Sequence, residues 1–220
     1  MKFLSLAQGD PIGKDLLVKL VEARYGAHPP AMDAVRVTFK GRSRAQIGPV
    51  PLWARVTAVA SYRFPVLMKW SFQIRVLGFL RSSYSTSFDG ETVYEEQGGR
   101  VTRHRDAGAV ESARRRAWAE TVFYVSPLIA DDRVRVEGVD SRTFKAYLAD
   151  AADDVAIVRL HDNNTLREIE VERMDPATNQ YKKQYLRPTG ELVNVDGLIL
   201  PATIARYWGD EMLMELSPAQ

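Results

Sequence analysis

The segment from Val66 to Val76 constrains this chain most. One parity is wholly apolar (Val66, Met68, Trp70, Phe72, Ile74, Val76), and the other carries Lys69, Ser71, Gln73 and Arg75. A period of two sends alternate side chains to opposite faces of an extended strand, whereas a helix would scatter the same residues around its axis. The strand therefore needs partners on both sides and a cover for its apolar face. Partners are close by in sequence. Val56, Ala58, Ala60 and Tyr62 alternate with Arg55, Thr57 and Ser61 before it, and Tyr84, Thr86 and Phe88 alternate with serines after it, as an antiparallel meander requires. Val35, Val37 and Phe39 start a further strand soon after Asp33. Asp89-Gly90 and Gly98-Gly99 read as hairpin turns, where glycine supplies a positive φ without a Cβ clash.

Two segments follow a helical period instead. Asp10-Pro11 is an N-cap followed by a proline that has no N–H to lose, and Tyr25-Gly26 closes the run before Pro29-Pro30. The spacing predicts a helix over about 11–25 with Ile12, Leu16, Leu20 and Ala23 on the buried stripe and Leu17 beside it. A second helix, about 107–125, carries Val110, Ala113, Ala117, Thr121 and Tyr124, with Trp118 and Val125 at its margin, and ends at Ser126-Pro127. Strands resume at roughly 133–138, 142–149, 154–161, 165–174, 180–187, 191–196, 198–205 and 211–216, separated by turn residues such as Asp162-Asn163-Asn164 and Pro188-Thr189-Gly190. The expected fold is mainly β with about two helices: one antiparallel curved sheet, a half-barrel, whose concave face the helices cover or plug. Residues 1–220 form one domain on this reading, with the half-barrel over about 33–216 and the second helix inserted in it.

Several function classes lose their support. With 45% hydrophobic and 26% charged residues the chain is an ordinary globular sequence. Thirty Lys and Arg against 28 Asp and Glu give a net charge of +2, so there is no basic field for nucleic acid. The absence of cysteine removes thiolate chemistry, and His28, His104 and His161 lack a second ligand at metal-site spacing; no metal or cofactor is expected. Gly-x-Ser-x-Gly, Walker A and Gly-x-Gly-x-x-Gly patterns are missing. Asp131-Asp132 and Asp153-Asp154 read as paired turn aspartates. No apolar run approaches the ~20 residues of a membrane span, and the apolar start, Phe3 to Ala7, is shorter than a secretory h-region, so the cytoplasm is the expected location.

What remains are aromatic faces and one helix. Trp70, Phe72, Tyr84, Phe88, Trp118, Phe123 and Tyr124 either fill the core or line an apolar pocket. Arg114-Arg115-Arg116 reads as a solvated helix flank, with an anion site as the alternative. On a helical wheel Glu120 falls at the edge of the apolar stripe beside Ala113 and Tyr124, with Arg116 one turn back. It is either half of a helix–sheet boundary ion pair or a desolvated carboxylate facing a cavity.

The segments VRVTFKGRSRA (35–45), PLWARVTAVASYRFPVLMKWSFQIRVLGF (51–79), RRAWAETVFYVSPLIADDRVRVEGVD (115–140) and GLILPATIARYWG (197–209) resemble an uncharacterised bacterial family of unknown function. The most distinctive stretch runs through Arg116, Ala119, Glu120, Phe123, Pro127 and Leu128. That family is similar in expected fold to the lipoprotein-localisation carriers of Gram-negative bacteria. The resemblance implies a half-barrel with an apolar concave face and assigns no catalytic residue. The leading expectation is a protein that binds a hydrophobic or amphipathic small molecule or lipid, lined by Trp70, Phe72, Ile74, Trp118, Phe123 and Tyr124 and anchored by Arg116 and Glu120. The alternatives are a small-molecule enzyme with Glu120 as general acid or base in the same cavity, and a non-catalytic protein-interaction module.

Overall fold

A computed structural model describes residues 5–47, 50–76, 80–175, 178 and 180–219. The described residues contain fourteen strands in a single sheet. After β1 (Gln8–Gly9) and α1 (Pro11–Tyr25), the chain enters the middle of the sheet at β2 (Ala34–Ile47). It then runs to one edge through β3 (Val50–Arg63), β4 (Leu67–Val76), β5 (Leu80–Phe88), β6 (Val93–Gln97) and β7 (Arg100–His104). Two helices, α2 (Ala107–Tyr124) and α3 (Ser126–Ala130), carry it back across to the opposite edge. From there it returns through β8 (Val134–Asp140), β9 (Thr143–Leu148), β10 (Ala151–Leu160) and β11 (Leu166–Asp175), then β12 (Gln180–Val195), β13 (Leu198–Trp208) and β14 (Glu211–Pro218). The last strand pairs with β2 and joins the two meanders. Pairing is antiparallel except where β1 lies parallel on β8. The expected half-barrel with helices over its concave face is the fold observed.

The meander centred on β4 has the register that the alternation demands. Trp70 lies opposite Ala60 on β3 and Thr86 on β5, and Phe72 lies opposite Ala58 and Tyr84. Setting small alanines beside large rings lets the inner face pack without overlap. The predicted Gly98-Gly99 turn joins β6 to β7 with both glycines at positive φ.

Four local expectations change. The α1 face that is buried runs through Gly13, Leu16, Leu17, Leu20, Val21 and Arg24, while Ile12 is 58% exposed and Ala23 only half-buried. The decider is Gly13, where a Cβ would sit 2.8 Å from the backbone of Val136 and Glu137, so α1 meets β8 along the glycine. The Asp10 carboxylate fixes that contact, accepting from the Gly13 N–H at its N-cap and from the Gly138 N–H of β8. Pro188-Thr189-Gly190 does not end a strand. The pairing of β12 with β11 stops at Leu186, so the missing Pro188 N–H breaks no ladder there, and Gly190 at φ +78° takes up a bulge against β13. Ser126-Pro127 ends α2 but opens α3, after Val125 turns the chain at φ +65°. Asp154 is no turn residue: it is 3% exposed within β10, where Arg114 and Arg115 both bond its carboxylate.

Candidate functional site

The α2 helix crosses the concave face, and its two halves meet different surroundings. From Ala117 to Tyr124 every residue is buried, so the C-terminal half has no solvated side. The first turn of α2 starts on the Asp106 side chain, which accepts from the Ala109 N–H. Its far end is capped from α1: Arg24 donates to the Phe123 carbonyl and the Tyr25 hydroxyl to that of Tyr124.

Glu120 therefore sits inside the protein, at 5% exposure, and not at a helix–sheet boundary. The expected partner Arg116 is present, its Nε 3.9 Å from Glu120 Oε1. The closer partner is Arg206 of β13, which bonds the same oxygen and is 8% exposed. Both guanidinium groups lie over the Trp70 ring, at 5.7 Å for Arg116 and 5.6 Å for Arg206. Arg173 of β11 completes the group at 9% exposure. It donates to the carbonyl and hydroxyl of Ser112 and to the Gln184 side chain, all neutral acceptors. Two of the three cations thus share one carboxylate, and Arg173 has no ion-pair partner among the described residues. Burial, with Arg206 beside it, pushes Arg116 down to about 10. Burial likewise holds Arg173 well below the ordinary guanidinium value, and Arg116 and Arg206 add to the effect.

Four buried side-chain polar atoms among the described residues lack a hydrogen-bond partner: Arg116 Nε, Arg206 Nε, Trp70 Nε1 and the Tyr62 hydroxyl. They are neighbours, since Tyr62 meets Trp70 edge-on and both arginines cover the Trp70 face.

The remaining expected lining residues divide. Phe72 stacks between Trp70 and Tyr84. Phe123 and Tyr124 pack with Trp70, Glu120 and Arg206 around a gap of about 20 Å³, which is room for a water. Trp118 faces the other flank of α2, where its indole donates to the Ala146 carbonyl of β9, and Ile74 is half-buried at the outer end of β4. The aromatic strip is packed core.

The larger space lies under the first turns of α2. A cavity of about 470 Å³ opens between that half of the helix, the β4–β7 arm and β11. Its apolar lining is Met68, Val93, Ala113 and Met174, and Tyr84, Thr86, Arg116 and Arg173 line it as well. Two carboxylates line it too: Asp106 caps α2, and Glu95 accepts from the Tyr84 hydroxyl and lies 3.6 Å from His104. Sequence reasoning missed Arg173, Arg206, Met68, Val93 and Met174. The two arginines left a trace: each occupies the inward parity of its strand, Arg173 after Ile169 and Val171, Arg206 after Ile204. No group of three or more His, Asp or Glu suited to a metal ion occurs among the described residues, and none of their helices is long and apolar enough to cross a membrane.

Residues 21–213 match the model of a family of unknown function, DUF6544. The chain belongs to that family. No curated protein matches it. Among solved structures it is similar to a DUF1329 family protein from Desulfovibrio piger, at 10% identity and TM-score 0.50, with 96% of this chain and 92% of that one covered. It is also similar to a Vibrio parahaemolyticus domain assigned as an outer membrane lipoprotein-sorting protein, at 9% identity and TM-score 0.50, covering 98% and 90%. A LolA superfamily protein from Nitrosomonas europaea aligns at 12% identity and TM-score 0.49, covering 94% and 91%. The likeness to the Desulfovibrio piger and Vibrio parahaemolyticus structures, at 10% and 9% identity, shows the fold alone, an open curved half-barrel, and the family resemblance read from the sequence holds at that level.

Proposed function

We propose that this member of the family binds a hydrophobic or amphipathic small molecule or lipid in the cavity beneath the first turns of α2. The observation that carries the reading is the cavity itself. Its volume of about 470 Å³ falls in the range of small-molecule sites, and it sets an apolar wall of Met68, Val93 and Met174 beside a few convergent polar groups. The half-barrel shared with a domain assigned to lipoprotein sorting agrees with an apolar ligand and adds nothing about its identity. The acid–base alternative at Glu120 has less room: the gap beside that carboxylate is about 20 Å³.

Native mass spectrometry of the full chain purified from its own host tests the proposal. The expected result is a co-purifying organic molecule that Gly108→Leu displaces. A Cβ at Gly108 would fall 2.3 Å from the Met174 Cε and push that side chain into the cavity. Protein that carries no such molecule and takes up no added dodecanol or dodecanoate rejects the proposal.

A further inference from the structure

The imbalance of charge beneath α2 calls for a partner. Arg206 and Glu120 bond each other and form a neutral pair. That leaves Arg116 and Arg173, and these are the two that line the open cavity. Arg116 reaches Glu120 only at 3.9 Å and its Nε has no hydrogen bond; Arg173 has no carboxylate partner among the described residues. Both guanidinium groups are largely drawn out of water, one sharing a carboxylate at 3.9 Å and the other bonded to neutral acceptors only, and a charge in a protein interior is costly unless it is matched. A planar guanidinium presents its N–H donors as a fork that matches the two oxygens of a carboxylate or phosphate. One side of the cavity wall is apolar, where Met68, Val93 and Met174 are flexible or small enough to follow a chain; Tyr84, Thr86, Glu95, His104, Asp106 and Ser112 make up much of the rest.

Building on the ligand-binding reading, we infer that the cavity takes an anionic amphiphile, its carboxylate or phosphate head between Arg116 and Arg173 and its apolar chain along Met68, Val93 and Met174. A neutral or cationic head adds no counter-charge to either guanidinium, so the two arginines favour an anionic one. The Glu95 and Asp106 carboxylates also line the cavity, but neither pairs with Arg116 or Arg173: Glu95 bonds the Tyr84 hydroxyl and lies 3.6 Å from His104, Asp106 caps α2, and Glu120 bonds Arg206.

Titration calorimetry with probes of equal chain length, each below its micelle concentration, separates the possibilities. Dodecanoate and dodecyl phosphate are expected to bind about 10- to 100-fold more tightly than dodecanol, the factor expected of one charge-assisted hydrogen bond. Dodecyltrimethylammonium is expected not to bind. Arg173→Gln and Arg116→Gln should each reduce that preference severalfold or more while dodecanol affinity stays unchanged, and the far-UV circular dichroism of both variants should match the parent. If either variant fails to fold, Gly108→Leu supplies the second arm: it leaves the arginines in place and should weaken all the amphiphiles together. Dodecanol binding as tightly as dodecanoate overturns the headgroup assignment and leaves the ligand-binding reading standing. Failure of every probe overturns both. Inorganic phosphate binding as tightly as dodecyl phosphate also overturns the inference, since the site would then be one for a small free anion.

Discussion

Glu120→Gln is the substitution that tests the interior most directly. The side chain keeps its length and an oxygen that can accept from Arg206, so packing is preserved and only the charge is lost. Glu120 is the carboxylate that Arg116 and Arg206 share, and Arg173 feels its charge as well. Without it, the Arg116 and Arg206 guanidinium groups lose their counter-charge, and the Arg173 charge nearby adds to the repulsion. Two unit charges 4 Å apart interact by about 4 kcal/mol at the effective dielectric typical of protein sites, and breaking a buried pair by removing one partner costs about 3–5 kcal/mol. We expect a loss of that size. In a chain of this length each kcal/mol is worth roughly 2–4 °C, so the melting temperature should fall by roughly 6–20 °C. Urea unfolding followed by tryptophan fluorescence and far-UV circular dichroism would measure it, alongside Arg206→Met and the double variant. Removing Arg206 as well takes away one stranded cation, so the double variant should recover part of the loss, with a coupling of roughly 1–3 kcal/mol. If Glu120→Gln changes stability by less than about 0.5 kcal/mol, as an ordinary surface substitution does, and the coupling is zero, Glu120 is not the counter-charge of this cluster.

Phe72→Ala, which removes a ring stacked between Trp70 and Tyr84 at 7% exposure, should cost about 3–5 kcal/mol in the same urea assay; a cost below about 1 kcal/mol would show that this face is not packed core. Acid should destabilise the fold through carboxylates whose folded values are depressed. Burial raises the Glu170 carboxyl, but bonds from Lys183 and Arg159 outweigh it, and the Arg133 guanidinium holds Asp131 down. Such groups contribute fully above their unfolded values and lose that contribution as pH falls through the folded ones, so the urea midpoint should decline below about pH 4.5, and Glu170→Gln should flatten part of the decline; equal slopes in parent and variant would count against this pair.

The fold was legible because strand alternation survives on a sheet that is wet on one face and covered on the other. The alternation through Trp70 and Phe72 predicted both the strand and its inward side, and the Gly98-Gly99 turn predicted the β6–β7 hairpin. The N-cap at Asp10 set the start of α1 to the residue, although the buried face was misread. The helical stripe took apolar side chains as its marker, whereas the contact with β8 needs the absence of one at Gly13. Pro188-Thr189-Gly190 failed as a breaker for a related reason. A proline ends a strand only if its N–H would have served a ladder, and that depends on where the neighbouring strand stops, which local sequence does not encode.

The site was half legible, and the reason lies in what a wheel can represent. Arg116 and Glu120 were paired correctly by their spacing on one helix, but a wheel leaves Glu120 at the edge of the apolar stripe, between a boundary and a cavity, because it contains no second surface. Here the sheet curls over α2 from both sides, and β13 brings Arg206 to a carboxylate 86 positions earlier in the chain. The signal for that contact was present in the strands. On β11 the inward parity reads Ile169, Val171, Arg173, and on β13 Ile204, Arg206. An arginine where period-two alternation demands an apolar side chain either turns its head out to water or carries it into the interior. Chain length favours the first outcome at a sheet edge, where the head can snorkel outward. Strands β11 and β13 are both interior, each paired on two sides, and α2 crosses above β11. There the second outcome follows, and a buried guanidinium needs an anion. Among the described residues, two inward arginines and a third on the helix find a single ion-pair partner, Glu120. That inequality, countable once α2 is placed on the concave face, is the ground for the charge preference we propose for the cavity.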